Sequence, residues 1–86
     1  MTRDLIFRGT AFSDFLDWRK TNPKIFARIV TLLEETRRDP FSGKGKPEAL
    51  KHNLKGWWSR RIDQEHRLIY KANEKEIVII SCKYHY

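Results

Sequence analysis

The chain has 86 residues, enough for one small domain and too few for two, so residues 1–86 are read as a single unit without a deep internal cavity. Its 18 Lys and Arg against 11 Asp and Glu give a net charge of +7, which points to a polyanionic partner, nucleic acid first. The 40% apolar content, with 3 Trp, 3 Tyr and 5 Phe, excludes a disordered basic tail.

Leu5-Ile6-Phe7 reads as a short strand, broken by Gly9-Thr10. Thr10 or Ser13 is a candidate cap for a first helix, in which Phe12, Phe15, Leu16 and Arg19 follow helical spacing, with Asp14, Asp17 and Lys20 on the solvent side. Asn22-Pro23 restarts the helix, Asn as N-cap and Pro at the first helical position. Phe26, Ile29, Val30 and Leu33 form the second stripe, with Ile25 and Leu32 at its margins, and Asp39-Pro40 ends it. Pro40–Pro47 is the one Gly/Pro-rich stretch, read as a surface loop, since it lacks the GxxxxGK[ST] pattern and a preceding strand. Beyond it the hydrophobic period shortens towards two. Residues 57–63, 67–72 and 76–84 read as three strands joined by turns short enough for antiparallel hairpins. Alternation predicts one continuously buried face in the last strand, from Val78, Ile80, Cys82 and Tyr84. The order is α+β: an N-terminal strand and a helical hairpin packed on an antiparallel sheet.

The charge is localised. Residues 37–71 hold ten Lys or Arg and four acids, which is +6 of the total. Within that segment, alternation puts Arg61 with Trp57 and Ser59 on one strand face and Arg60 with Trp58 and Ile62 on the other. The single cysteine, Cys82, lies in an apolar run and reads as a buried, inert thiol. The three histidines lack zinc-site spacing and no serine lies in GxSxG, so no metal and no cofactor is expected. The longest aliphatic run, Ile77–Ile80, is too short for a membrane span, and residues 1–7 have no signal-peptide core, so a cytoplasmic protein without membrane attachment is expected.

A sheet presenting arginine, histidine and a carboxylate together has the groups for RNA cleavage. A base takes the 2′-OH proton, cations stabilise the phosphorane, and an acid protonates the departing 5′-oxygen. Histidine, titrating near about 6.5, suits the acid role. Glu48, between Lys46 and Lys51, is the only acid between Asp39 and Asp63. Spacing alone does not show that Glu48, Arg67 and His85 converge.

The blocks Thr36-Arg37-Arg38-Asp39-Pro40-Phe41, Gly43-Lys44-Gly45-Lys46-Pro47-Glu48, Leu50-Lys51-His52-Asn53-Leu54, Gly56-Trp57-Trp58-Ser59-Arg60-Arg61-Ile62, Glu65-His66-Arg67-Leu68-Ile69-Tyr70 and Cys82-Lys83-Tyr84-His85-Tyr86 resemble, in this order, the YoeB (Txe) toxins of the RelE superfamily. The resemblance implies a RelE-like, microbial-ribonuclease-like fold and a ribosome-dependent endoribonuclease that cuts mRNA in the decoding A site. It assigns Glu48 as general base, Arg67 to the scissile phosphate, His85 as general acid and Tyr86 to positioning the RNA. Lys46, Lys51 and Arg61 become contacts to RNA or the ribosome. The implied partners are a YefM (Axe)-type antitoxin and the 70S ribosome with its A-site mRNA, and a homodimer is left open. Ala49 stands where these toxins usually carry a second proline, and Trp57 replaces the more usual Phe. Two other functions fit the same scaffold: a ParE-like gyrase poison, and a non-catalytic RNA- or ribosome-binding module.

Overall fold

The computed structural model describes residues 2–84. Its elements are β1 (Asp4–Phe7), α1 (Ala11–Thr21), α2 (Pro23–Arg38), β2 (Glu48–Ala49), a single 3₁₀ turn at His52–Leu54, β3 (Trp58–Arg61), β4 (Arg67–Ala72) and β5 (Glu76–Ser81). The five strands form one sheet in the order β1-β5-β4-β3-β2, with the two helices on one face. The α+β reading holds, but the sheet is mixed rather than antiparallel. β1 runs parallel to β5, Leu5 opposite Ile77 and Phe7 opposite Ile79, while the other pairs are antiparallel. A short apolar run such as Leu5–Phe7 gives its strand character but not its neighbour, which here is the last strand.

The helix boundaries follow local chemistry. Asn22 caps α2 by accepting the Ile25 N–H through Oδ1 at 3.3 Å, with Pro23 at the first turn, and Asp39 leaves the helix in extended geometry. Thr10 occupies the N-cap of α1, yet its hydroxyl donates to Asp14 at 3.3 Å instead of accepting from the backbone. The inward stripes differ from the expected ones. In α1 the buried residues are Ala11 and Trp18, with Phe15 half-buried between them, whereas Phe12 is 52% exposed and Leu16 is also exposed. The methyl of Ala11 lets the helix lie close to the sheet, and the Trp18 indole N–H donates to the Cys82 carbonyl at 3.0 Å, satisfying the one polar atom it buries. In α2, Ile29, Leu32, Leu33 and Thr36 face inward, and Val30 faces out. Buried Ile and Leu side chains here each contribute about 1.5–3 kcal/mol relative to exposure.

β5 departs from simple alternation. Ile69 of β4 lies opposite Ser81 and Tyr70 opposite Ile79, so one step along β4 matches two along β5 and Ile80 is the extra residue of a bulge. The bulge reverses the phase of the strand. Ile77 and Ile79 are buried before it and Cys82 after it, while Val78 and Ile80 are only half-buried. The expected face of Val78, Ile80, Cys82 and Tyr84 therefore does not exist as one face. Burial pushes the Cys82 thiol up to about 12, as suits an inert core cysteine.

Candidate functional site

The sheet face opposite the helices carries the polar residues of the basic segment. Arg61 lies directly opposite Arg67 across β3 and β4, Ser59 opposite Ile69, and Glu48 opposite Ser59 across β2 and β3. Opposed residues of an antiparallel pair share a face, so this register sets Glu48, Ser59, Arg61, Arg67 and Ile69 side by side. They line an open cleft of about 240 Å³ together with Lys46 and Leu50. Among the described residues its charged side chains are three cations and one carboxylate.

Glu48 owes its place to β2, two residues long and unexpected from sequence. The Leu50 N–H extends this pairing to the Trp57 carbonyl at 2.9 Å. The preceding loop is anchored from inside. Arg60, on the opposite pleat from Arg61, is fully buried, and its guanidinium donates to the carbonyls of Lys44 (2.8 Å), Ser42 (2.8 Å) and Asp39 (2.6 Å). Its Nε donates to the Tyr70 hydroxyl at 3.2 Å, and that hydroxyl donates to the Pro40 carbonyl at 2.5 Å. Four loop carbonyls thus converge on one buried knot. Gly45 completes the turn at φ +84°, its carbonyl accepting the Arg61 N–H at 2.6 Å. A Cβ there would meet the Arg61 carbonyl and Leu32 Cδ2 at 3.0 Å, so only glycine fits.

Arg67 is held from the other side. Its Nη1 donates to the carbonyls of Asp63 (2.6 Å) and His66 (3.1 Å), and its backbone N–H donates to the Tyr84 carbonyl at 2.8 Å. Among the described residues Nε and Nη2 have no hydrogen-bond partner, and neither Glu48, Arg61 nor Lys46 forms an ion pair. Among the described residues, then, nothing competes with a ligand for these charges. The turn between β3 and β4 is closed by Asp63, whose Oδ1 accepts the N–H groups of His66 (2.7 Å) and Glu65 (2.9 Å). Burial raises the Asp63 carboxyl, but those two N–H groups, with the positive charge of Arg67, outweigh it and hold the group below its ordinary 3.8. A depressed carboxylate contributes stability above its unfolded value and loses it as pH falls through the folded one. Thermal midpoints should therefore drop as pH falls below about 4, and less steeply in Asp63→Asn, which keeps the acceptor but not the charge.

Of the residues expected from sequence, Lys46, Glu48, Arg61 and Arg67 meet in the cleft. Lys51 does not line it; it is exposed just before the 3₁₀ turn. His85 and Tyr86 lie outside the described residues. Ser59 and Ile69 were not expected as cleft residues, although alternation had placed Ser59 on the face of Arg61. Trp58 packs on the core side, its ring 4.8 Å from that of Phe41, rather than offering a stacking surface in the cleft. Among the described residues no group of three or more His, Cys, Asp or Glu side chains is arranged as metal ligands, and no helix is long and apolar enough to cross a membrane.

Comparison with known proteins bears on this geometry. Residues 7–86 match the family model for the YoeB-like toxin of bacterial type II toxin–antitoxin systems. The toxin YoeB of Escherichia coli (strain K12) is 50% identical over 82 residues, which span 95% of this chain and 98% of that protein. Among solved structures, the YoeB dimer of Staphylococcus aureus superposes with a TM-score of 0.92 at 41% identity, covering all of both chains. The toxin in the heterotetrameric YoeB–YefM toxin–antitoxin complex of the same organism does so at 0.89 and 41%, again over all of both chains.

Proposed function

This chain belongs to the YoeB-like toxins of bacterial type II toxin–antitoxin systems, and on that footing we propose that it is a ribosome-dependent endoribonuclease acting on mRNA in the A site of the 70S ribosome. The observation that carries this reading is the cleft itself, in which one carboxylate, Glu48, shares a sheet face with Lys46, Arg61 and Arg67. An RNA strand laid there meets a base beside several cations. Glu48 takes the proton from the 2′-OH, and the freed oxygen attacks the adjacent phosphorus. Arg67, with Arg61 beside it, stabilises the charge that grows on the phosphorane. His85, which follows Tyr84 in the chain, gives its proton to the departing 5′-oxygen, and Tyr86 orients the nucleotide. The products are a 2′,3′-cyclic or 3′-phosphate and a 5′-hydroxyl. Lys46, with Lys51 outside the cleft, engages phosphates of mRNA or ribosomal RNA.

The same basic face suits an acidic antitoxin of the YefM type, which would compete with RNA for it, and self-association follows the example of the Staphylococcus aureus relative. The protein acts in the cytoplasm, where its substrate is. The test is to map mRNA ends on programmed ribosomes. Wild type should cut within the A-site codon. Glu48→Gln should cut about 10²–10⁴-fold more slowly while still co-sedimenting with ribosomes. Intact message with wild-type protein would remove the nuclease reading, and wild-type rates with Glu48→Gln would remove the base.

A further inference from the structure

Tyr84 has a backbone that its own side chain does not explain. Its φ is +60°, in the left-handed region that non-glycine residues rarely occupy, and its side chain is 58% exposed, so burial of the ring does not impose the conformation. Both of its backbone polar groups are tied to two adjacent residues instead. The Tyr84 N–H donates to Nδ1 of His66 at 2.8 Å, and its carbonyl accepts the Arg67 N–H at 2.8 Å. The first of these bonds is unusual in resting on a side chain. It requires an unprotonated Nδ1, which in the neutral ring places the proton on Nε2, the atom 3.5 Å from Glu65 Oε1.

The His66 ring is in turn held between two other rings. It is almost wholly buried, stands edge-on to the Trp18 indole with ring centres 4.7 Å apart, and lies 5.5 Å from the Tyr84 ring. Its backbone is pinned as well, the N–H to Asp63 Oδ1 at 2.7 Å and the carbonyl accepting the Ile62 N–H at 3.0 Å. Trp18 also holds the chain two residues before Tyr84, through the Cys82 carbonyl.

The geometry points to His66 as a positioning residue that holds Tyr84 in its left-handed turn and so sets the direction in which the chain continues to His85. This role rests on the nuclease reading above, in which His85 is the acid, and His66 touches neither RNA nor the reacting atoms. A hydrophobic contact alone would tolerate any ring of similar size. A directional acceptor at Nδ1 would not.

Three variants separate the two. In His66→Asn the Oδ1 atom stands near the place of Nδ1, in His66→Gln the amide reaches the place of Nε2, and His66→Phe keeps the ring without an acceptor. Single-turnover mRNA cleavage at saturating toxin should fall on the order of 100-fold in His66→Gln and His66→Phe, as an ångström-scale misplacement costs, and stay within about 5-fold of wild type in His66→Asn. The toxin concentration for half-maximal cutting should move by no more than about 2-fold in all three. Independently of activity, hydrogen exchange read by NMR should show the Tyr84 amide protected in wild type and His66→Asn and unprotected in the other two. Cleavage by His66→Gln at the wild-type rate, or a wild-type Tyr84 amide exchanging as fast as in His66→Phe, would overturn the assignment. If wild type cuts no message, the nuclease reading fails instead, and amide protection alone decides whether the His66 clamp exists. Should His66→Phe not fold, the Asn and Gln pair carries the same contrast.

Discussion

Replacing Arg67 with Ala is expected to slow cleavage of ribosome-bound mRNA by about 10²–10³-fold, the usual loss when one preorganised donor to a developing anion is removed. The expectation rests on how the side chain is held. Nη1 is tied back to the Asp63 and His66 carbonyls, so in the proposed reaction the guanidinium would meet the phosphate without first giving up side-chain freedom. Lysine at this position should recover only part of the rate, because an ammonium supplies charge without the planar fork that spans two phosphate oxygens. Loss of the two carbonyl contacts should cost stability by only about 1 kcal/mol. The defect should therefore appear in single-turnover rates and scarcely in thermal melts. A variant that cuts within a few-fold of wild type would show that Arg67 serves only to hold its turn.

Arg60 should behave in the opposite way. Arg60→Met fills much of the same volume but leaves the carbonyls of Asp39, Ser42 and Lys44 and the Tyr70 hydroxyl without their donor. Unpaired polar groups at such sites cost about 1–3 kcal/mol each when water does not reach them, so a total of about 3 kcal/mol or more is expected. For a domain whose net stability is about 5–15 kcal/mol, that is a large share. Tyr70→Phe removes only the link to Pro40 and the contact to Arg60 Nε, and should cost about 1–2 kcal/mol. Urea unfolding of the two single variants and the double should reveal coupling, since both side chains hold the same loop. An Arg60→Met protein within about 0.5 kcal/mol of wild type would mean that the loop is held by its other contacts.

These two arginines show what the sequence made legible. Strand alternation was enough to separate Arg60 from Arg61 and to predict that they serve opposite faces. It did not reveal that Arg60 would be buried against backbone carbonyls, because carbonyls leave no mark in a residue pattern. The α2 limits were readable, since Asn22, Pro23 and Asp39-Pro40 act through local sterics and hydrogen bonds. The inward stripes were less so. Helical spacing favoured the large Phe12 and Leu16, whereas close packing on the sheet selected Ala11 and Trp18. Two features depend on pairing between strands rather than on periodicity within one and were missed for that reason: the parallel docking of β1 and the phase reversal at Ile80. In the site, Lys46, Glu48, Arg61 and Arg67 were all named from charge, chemistry and family resemblance. Their meeting depends on the two-residue strand at Glu48, too short to leave a periodic signal.

The placement of β1 also sets the timing of folding. Of the described strands, β1 comes first in the chain and has one partner in the sheet, β5, which comes last. Until residues 76–79 are available, β1 has no backbone ladder to join and β4 lacks one of its two neighbours. Such long-range pairing is slow to form and rewards the chain only when both ends are present. The cleft itself does not wait for this closure: its residues lie on β2, β3 and β4 and the loop before them, which pair among themselves, so the working surface and the edge that completes the sheet are assembled from separate stretches of the chain.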